Sequence, residues 1–295
     1  MSTQERSISA PFVPTLTIHD ILCLTDLSPR SRSALEHARH LAERFQAELT
    51  VYHAVETFEG VYPDLTFGIS QELSRGAEKA AVAVLGAAVK GADTRTSVKV
   101  EQVRSATEAV VEMVLGRRAD LTVMATHGRR GLSHMVLGSV TEEVVQRAHS
   151  PVLCLRGAAP TAYRRILVPT DLSLASRLAF PMAALLARTF GAEVIGLHVA
   201  PPVTAARLSG IPERPRPVPS EAALWEFYQA DFAGLPVTAQ VYVGTAWDRI
   251  VRTAQVEGAD LIVMATRGHD SLSDRILGSN TERTLRRAPC PVLVA

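Results

Sequence analysis

Several features are scarce or missing in this chain, and each absence excludes a kind of protein. Three of the 295 residues are cysteines, Cys23, Cys154 and Cys290, and none belongs to a Cys-x-x-Cys pair of the kind that holds zinc. Lys and Arg number 31 against 30 Asp and Glu, so the chain lacks the basic excess of a nucleic-acid-binding protein. No apolar run approaches the ~18 residues that span a membrane, and the first residues lack a signal-peptide pattern. We therefore expect a cytoplasmic protein with buried, reduced thiols that binds neither nucleic acid nor membranes.

The familiar signatures of catalysis and nucleotide binding are also missing. The sequence contains no G-x-x-x-x-G-K-[ST] of a P-loop NTPase, no G-x-G-x-x-G after a first strand, and no G-x-S-x-G of a hydrolase. It contains neither a His-Glu-x-x-His motif nor a cluster of acidic residues and histidines that would predict a metal site or a catalytic triad. The chemistry, if any, must lie in another pattern.

What the chain does contain is an internal repeat. Thr-Asp-Leu-Ser occurs at 25–28 and again at 170–173, and the eight residues 119–126 match 259–266 at seven positions. Leu-Gly-Ser and Pro-Val-Leu also recur in the same order, so the chain is a duplicated unit. We predict an N-terminal tail at 1–17, a first domain at 18–157, a linker at 158–163 and a second domain at 164–295.

Each copy alternates short apolar runs with helical patterns. The first copy predicts strands at 21–24, 49–55, 98–103, 121–125 and 152–155, and helices that start at Pro29 and cover 73–89, 107–115 and 141–148. The second copy predicts strands at 166–168, 194–199, 237–243, 261–265 and 292–294, and helices at 174–190, 220–232, 247–257 and 281–287. Strands that are apolar throughout and alternate with helices indicate a parallel sheet covered on both faces. We therefore predict an α/β fold with two tandem doubly wound domains, and a proline-rich surface loop or lid at 201–219.

One chemical pattern occurs twice. A strand ends in Ala-Thr-x-Gly, nine residues follow, and Gly-Ser-x-Thr then starts a helix. The two glycines of this pattern are Gly128 and Gly138 in the first copy and Gly268 and Gly278 in the second. Glycine lets backbone approach a ligand, and the free N–H groups and dipole of a helix start favour an anion. Further donors or charges would come from Ser139, Thr141, Ser279, Thr281, His127, Arg129, Arg130 and Arg267. The alternative is that 139–142 and 279–282 are capping boxes that need no ligand.

Three pairs of residues have both a functional and a structural interpretation. Asp26 and Asp171 follow the first strand of each copy, where they would either meet a ribose or adenine or only brace the next loop. His53 and His198 end the second strand, and a hydrogen-bonded structural histidine is favoured over a ligand or base. Met124 and Met264 precede the glycine pattern, and core positions are favoured over contact with a base.

These residues together resemble the universal stress protein family in its tandem form, over about 18–156 and 164–295. The resemblance rests on the repeated Thr-Asp-Leu-Ser, on Met-Ala-Thr-His-Gly-Arg-Arg-Gly-Leu-Ser, on Leu-Gly-Ser-Val-Thr-Glu and on the final Pro-Val-Leu. ATP-binding members carry Gly-x2-Gly-x9-Gly-[Ser/Thr], whose spacing is kept twice here with Ala125 and Ala265 in place of the first glycine. The family implies a five-stranded sheet of order 3-2-1-4-5 per domain, with the last strands, 151–155 and 291–295, pairing the two domains like a dimer.

The resemblance also implies roles for individual residues. Adenine or ribose would contact Asp26 and Asp171, and the adenine pocket would be lined by Ala54, Val199, Met124 and Met264. Phosphates would be held by Gly128, Gly138, Ser139, Val140 and Thr141 in the first half, and by Gly268, Gly278, Ser279, Asn280 and Thr281 in the second. The second half also has Pro169, the commoner family residue, where the first has Leu24.

The residues and the resemblance together predict a cytoplasmic stress-response regulator. It would bind ATP, with Mg²⁺ as an optional companion, and would signal through nucleotide occupancy to a protein partner not yet identified, with homodimer formation open. At most slow ATP hydrolysis is expected, because no positioned general base is visible. Two alternatives remain: a nucleotide-free structural or protein-interaction module of the same fold, and an enzyme such as an adenylate-transferring ligase.

Overall fold

The computed structural model describes residues 16–57, 67–91, 95–126, 137–157, 160–202, 218–266 and 277–295. The elements of the first half are β1 (Asp20–Leu24), α1 (Pro29–Phe45), β2 (Glu48–Glu56), α2 (Phe67–Val89), β3 (Thr96–Val103), α3 (Ala106–Arg117), β4 (Leu121–Ala125), α4 (Ser139–Arg147) and β5 (Val152–Leu155). Those of the second half are β6 (Arg165–Thr170), a 3₁₀ helix (Ser176–Ala179), α5 (Phe180–Phe190), β7 (Glu193–Ala200), α6 (Glu221–Gln229), β8 (Val237–Val243), α7 (Ala246–Val256), β9 (Leu261–Met264), α8 (Ser279–Arg287) and β10 (Val292–Val294).

All ten strands form a single sheet in the order β3-β2-β1-β4-β5-β10-β9-β6-β7-β8. Within each half the strands are parallel and follow the order 3-2-1-4-5, which confirms the predicted α/β fold. The halves join where β5 and β10 pair antiparallel, with Leu153 opposite Leu293. The two carboxyl edges therefore lie at opposite ends of the joined sheet.

Two apolar clusters cover the two faces of this sheet, and each runs through both halves. The first packs α1, α2, α5 and α6 against one face, and the second packs α3, α4, α7 and α8 against the other. All three cysteines are buried free thiols, as predicted, and burial raises the pKa of Cys23 and of Cys154 to about 12. None of the described helices has the length and apolar character needed to cross a bilayer.

The predicted elements agree with the observed ones apart from their ends, with one exception in the second half. A continuous helix over 174–190 is wrong: this segment begins as the 3₁₀ helix, and α5 starts only at Phe180. The second residue of α5 is Pro181, which has no N–H and whose ring excludes the carbonyl four residues earlier, so a regular α-helix cannot run through it. The predicted loop at 201–219 lies mostly outside the described residues.

A buried hydrogen bond ties the two halves together on the first face. Nε2 of His37, in α1, lies 2.6 Å from the hydroxyl of Tyr163, which precedes β6. The ring of Tyr163 meets that of Phe190 edge to face at 4.9 Å, and Arg44 donates to the carbonyl of Thr189 at 2.6 Å. Burial, and then the nearby His40, lower the pKa of His37 to about 4.

Protonation of His37 should therefore make the protein less stable in mild acid. The unfolded chain takes up this proton below pH ~6.5 but the folded chain only near pH 4, so stability falls as pH drops through that window. At pH 5.5 the expected loss is about 1.4 kcal/mol relative to pH 7.5. This loss is measured by comparing the thermal unfolding of the wild type and of His37→Gln at both pH values. The glutamine keeps a polar partner for Tyr163 but does not titrate. Equal pH dependence in the two proteins would contradict the assignment.

Candidate functional site

The predicted site lies where the strand order reverses. From β1 the chain moves outward to β2 and β3, and it then returns to β4 on the other side of β1. β1 and β4 are hydrogen-bonded neighbours, with Cys23 opposite Val123, so their carboxyl ends lie side by side at the point where the strand order reverses. β6 and β9 form the same arrangement in the second half. Ligands of open α/β sheets bind in crevices of this kind.

The loop after β1 is held in place by its own side chains. Oδ1 of Asp26 accepts the N–H of Ser28 at 3.0 Å, and the Thr25 hydroxyl accepts that of Leu27 at 3.1 Å. Ser28 is the N-cap of α1 and accepts from the N–H of Ser31, so the helix starts at Pro29 as predicted. Asp26 therefore braces the loop between β1 and α1, which is one of the two roles that the sequence left open.

The second half repeats this loop almost bond for bond. Oδ1 of Asp171 accepts the N–H of Ser173 at 3.0 Å, and the Thr170 hydroxyl accepts that of Leu172 at 2.9 Å. Both central leucines are left-handed, with φ of 64° at Leu27 and 66° at Leu172. A branched side chain in this region costs about 1–2 kcal/mol, so the hydrogen-bonded frame must hold the turn in shape.

The two histidines are structural in the way the sequence favoured. Nδ1 of His53 donates to the carbonyl of Thr25 at 2.7 Å, and Nδ1 of His198 donates to that of Thr170 at 2.9 Å. Because a carbonyl only accepts, the proton lies on Nδ1 in both rings. Each histidine thus fixes the end of the neighbouring strand just before the aspartate.

The start of α4 overturns the capping-box interpretation. The N-cap is Gly138 rather than Ser139, and a glycine has no side chain with which to cap the helix. The first turn begins with the N–H of Glu142 bonded to the carbonyl of Gly138 at 3.0 Å. Within the described part of the chain, no acceptor meets the N–H groups of Ser139, Val140 and Thr141. Uncapped N–H groups at a helix start are the feature that an anion site requires.

The same start recurs at α8. Its N-cap is Gly278, again without a side-chain cap, so Ser279 is not the cap of a capping box either. The N–H of Gly278 is bonded to the carbonyl of Thr266 at 3.1 Å, and in the first half Gly138 makes the same bond to Thr126 at 3.0 Å. Both helix starts are therefore fixed to the end of the preceding strand.

The threonines of the pattern do not offer free hydroxyls. Thr141 donates its hydroxyl to the carbonyl of Ala125 at 3.2 Å, and Thr281 donates to Ala265 at 3.1 Å. Both side chains are buried. The expectation that these hydroxyls are free to donate to a ligand is therefore wrong. Ser139 and Ser279 are exposed and keep their hydroxyls at the surface.

The apolar side chains of the predicted site are divided between the two faces of the sheet. Met124 and Met264 belong to the second apolar cluster, as core residues do, with 5% and 6% of their surface exposed. Partly buried residues that pack on this cluster are Ala54, Val140 and Val199. The methyl groups of Ala125 and Ala265 pack against the first cluster, so they point away from the methionine side.

The remaining predicted residues divide into three groups. Pro169 is buried in the central strand β6 opposite Leu197, whereas Asn280 is exposed in the first turn of α8. Residues outside the described part of the chain are Gly128, Gly268, His127, Arg129, Arg130 and Arg267.

Two open depressions of about 400 and 480 Å³ lie along the edge strand β3, away from the crevice and lined by mixed charges, so they are separate from the predicted site.

The sequence repeats Ala-Asp at 119–120 and 259–260, but the pattern does not reveal the role of the two aspartates. Oδ2 of Asp120 accepts the N–H groups of His19 and Asp20, and Oδ2 of Asp260 accepts those of Arg164 and Arg165. Each carboxylate clamps the start of the first strand of its half, at the amino edge of the sheet. The repeat itself signals importance, but only the contacts show that the role is structural.

The fold and the crevice define a tandem α/β protein with one candidate anion site in each half. A sequence model of the universal stress protein family matches residues 17–156 and again 162–295. A universal stress protein of Mycobacterium tuberculosis is 30% identical over 259 residues, which cover 84% of this chain and 86% of that protein. One from Methanocaldococcus jannaschii is 34% identical over 141 residues, covering 45% of this chain and 81% of its own length. The chain belongs to the universal stress protein family.

A solved structure supports the tandem architecture. The crystal structure of a universal stress protein from Archaeoglobus fulgidus superposes with a TM-score of 0.69 at 22% identity. The match covers 93% of this chain and 95% of that one, so the shared fold extends over both halves.

Proposed function

We propose that this protein binds an adenine nucleotide, ATP, at the carboxyl edge of each half and acts as a cytoplasmic stress-response regulator through nucleotide occupancy. The observation that carries the proposal is that the helices after β4 and β9 begin at glycine N-caps, Gly138 and Gly278, with no capping side chain among the described residues. An uncapped start that recurs in both halves is expected of a site that takes an anion from outside. The helix starts support an anion in general. The spacing of the glycines and the family resemblance support the more specific proposal that this anion is the phosphate chain of an adenine nucleotide.

The remaining residues fit a nucleotide whose phosphates lie at the helix start. Met124, Ala54 and Val140 share the second apolar cluster beside the crevice and would form the floor under an adenine. Asp26, fixed by Ser28, would meet the ribose or the base from β1. Exposed Ser139 and the free N–H groups would hold phosphate oxygens, with Mg²⁺ as an optional companion. The domain limits given above, a separate protein partner and homodimer formation belong to the same proposal.

Calorimetric titration of the full chain, stripped of carried-over ligand, tests this function. We expect ATP to bind with a stoichiometry of two and more tightly than GTP, because the family resemblance implies an adenine pocket. The same titration distinguishes the alternative, a nucleotide-free interaction module of this fold, which would show no heat with either nucleotide. Binding of GTP and ATP with equal affinity would remove the adenine assignment.

A further inference from the structure

The two edges of the ten-stranded sheet differ in charge. β3, at one edge, carries Lys99 and Glu101, whose side chains form an ion pair at 2.6 Å. β8, at the other edge, reads Val-Thr-Ala-Gln-Val-Tyr-Val and contains no charged residue, no proline and no glycine. Charged side chains and proline protect an edge strand from pairing with another chain, so β3 has such protection and β8 does not.

The register of the two halves shows that the charges are missing from equivalent positions. The repeated histidines of β2 and β7 lie opposite Val100 of β3 and Val241 of β8. The residues on either side of these valines are Lys99 and Glu101 in β3, and Gln240 and Tyr242 in β8. In the part of the chain that the structure describes, β8 pairs with β7 alone, so its outer row of backbone N–H and C=O groups has no strand to bind.

The sequence of β8 is suited to pair with itself. An antiparallel pair that overlaps all seven residues is centred on Gln240, and it places Thr238 opposite Tyr242 of a second copy and Val237 opposite Val243. A pair of valines on one face and a β-branched residue against an aromatic ring on the other both stabilise paired strands. Tyr242 and Val243 are 39% and 48% exposed, so half of this contact surface is already open to a partner.

Charges beside β8 also complement each other across such a pair. α7 starts after the carboxyl end of β8 and runs back toward its amino end, so Arg249 near the start of α7 and Glu257 just after its end lie toward opposite ends of the strand. The guanidinium carbon of Arg249 lies 5.5 Å from the centroid of the Tyr242 ring, and Glu257 accepts from the side-chain amide of Gln240 at 2.9 Å. Antiparallel pairing turns one copy end for end, which brings Arg249 of each copy toward Glu257 of the other.

We propose that β8 is the surface through which a second copy of this chain binds, in an antiparallel β8–β8 pair that continues the sheet from one copy into the next. This pairing goes beyond the proposed nucleotide binding and does not depend on it, although it gives the homodimer of that proposal a surface. One short strand pair buries less area than a permanent dimer needs, so the association is weak and depends on protein concentration. The two-fold axis closes the assembly at two copies, because each β8 edge is used once.

Sedimentation velocity of the full chain, stripped of nucleotide, tests the pairing at concentrations from about 1 to 200 μM. We expect the dimer fraction to rise with concentration. Gln240→Lys should weaken the dimer at least about tenfold, because it sets two lysines against each other at the axis and draws Glu257 away from the other copy. The fold should accept this lysine, since β3 carries Lys99 at the equivalent position, and thermal unfolding checks that it does.

Gln102→Lys is the matched control. It adds the same charge to the opposite edge strand, β3, where the amide of Gln102 now donates to Glu78 at 2.5 Å. The dimer should stay within about twofold of the wild type. A monomer at every concentration, a dimer that Gln240→Lys leaves intact, or an assembly that grows beyond two copies would each overturn the inference.

Reversing the two flanking charges tests the antiparallel register. Arg249→Glu and Glu257→Arg should each weaken the dimer about fivefold, the range of an exposed charge pair, and the double variant should return to within about twofold of the wild type. No recovery in the double variant would contradict the register. Calorimetry of Gln240→Lys with ATP should give the stoichiometry of the wild type, so a failure of the pairing and a failure of nucleotide binding are told apart.

Discussion

Replacing Gly138 by aspartate should abolish nucleotide binding in the first half and leave the second half unchanged. Gly138 has φ of −66° and ψ of 142°, which any residue adopts, so the new side chain brings no backbone strain. Aspartate is a favourable N-cap, and its carboxylate would take the N–H groups of the first turn for itself. It would therefore occupy the anion position with a fixed negative charge while supporting the helix.

The expected loss of ATP affinity is about 100-fold or more, since both the donors and the favourable potential are lost. Calorimetry on the full chain should show the stoichiometry fall from two to one, and Gly278→Asp should do the same for the other half. Gly138→Ala is the control for bulk: its Cβ would lie 3.2 Å from the carbonyl oxygen of Thr126, a tight but neutral contact. A stoichiometry of two in Gly138→Asp would show that the phosphate position is wrong.

The sheet was the part of this protein most open to prediction from sequence. The runs 121–125, 152–155, 237–243 and 292–294 are strands to the residue. All but the edge strand β8 are buried on both faces, so each reads as an apolar run bounded by polar or turn-forming residues. The repeat then doubled every local signal, because an element inferred in one half was tested by its partner in the other. Strand order and the pairing of the halves followed from the family resemblance and not from the pattern.

The helix start at the site was harder to predict, since the sequence there satisfies two rules at once. Ser139-Val140-Thr141-Glu142 has the spacing of a capping box, and local pattern favours the serine as the cap. The structure moves the cap one residue earlier because Gly138 is bonded to Thr126 at the strand end and the hydroxyl of Thr141 is bonded to Ala125. Both bonds join positions more than ten residues apart, which a local rule cannot include.

The left-handed leucines were invisible for a related reason. Leu27 and Leu172 are residues that rarely adopt positive φ, and nothing in Thr-Asp-Leu-Ser marks the turn as special. The turn follows from the side-chain bonds of Thr25 and Asp26, which fix the chain on both sides of Leu27. A strained loop at the edge where the strands diverge is a common property of binding sites, and here it positions the aspartate.

A glycine in the second half should show how tightly the aromatic core around it is packed. Gly196, in β7, stands where the first half has Val51, and an added Cβ would lie 2.6 Å from the ring of Tyr228. That ring cannot withdraw, since it is fully buried, stacks on Phe180 at 4.8 Å and donates its hydroxyl to the carbonyl of Val168. Gly196→Ala should therefore destabilise the protein by about 2–3 kcal/mol through overpacking.

Urea unfolding of matched variants measures this effect. Gly86→Ala adds the same methyl group inside α2, where nothing lies within 4 Å of the new atom, and should stabilise by about 0.5–1 kcal/mol. Tyr228→Leu removes the ring, so the double variant with Gly196→Ala should lose less stability than the two single changes predict together. Additive losses would mean that Tyr228 is not what excludes a side chain at 196. If Gly196→Ala were as stable as the wild type, the aromatic cluster would be able to repack around the new methyl group at no cost. The packing of Tyr228 would then not require a glycine at position 196.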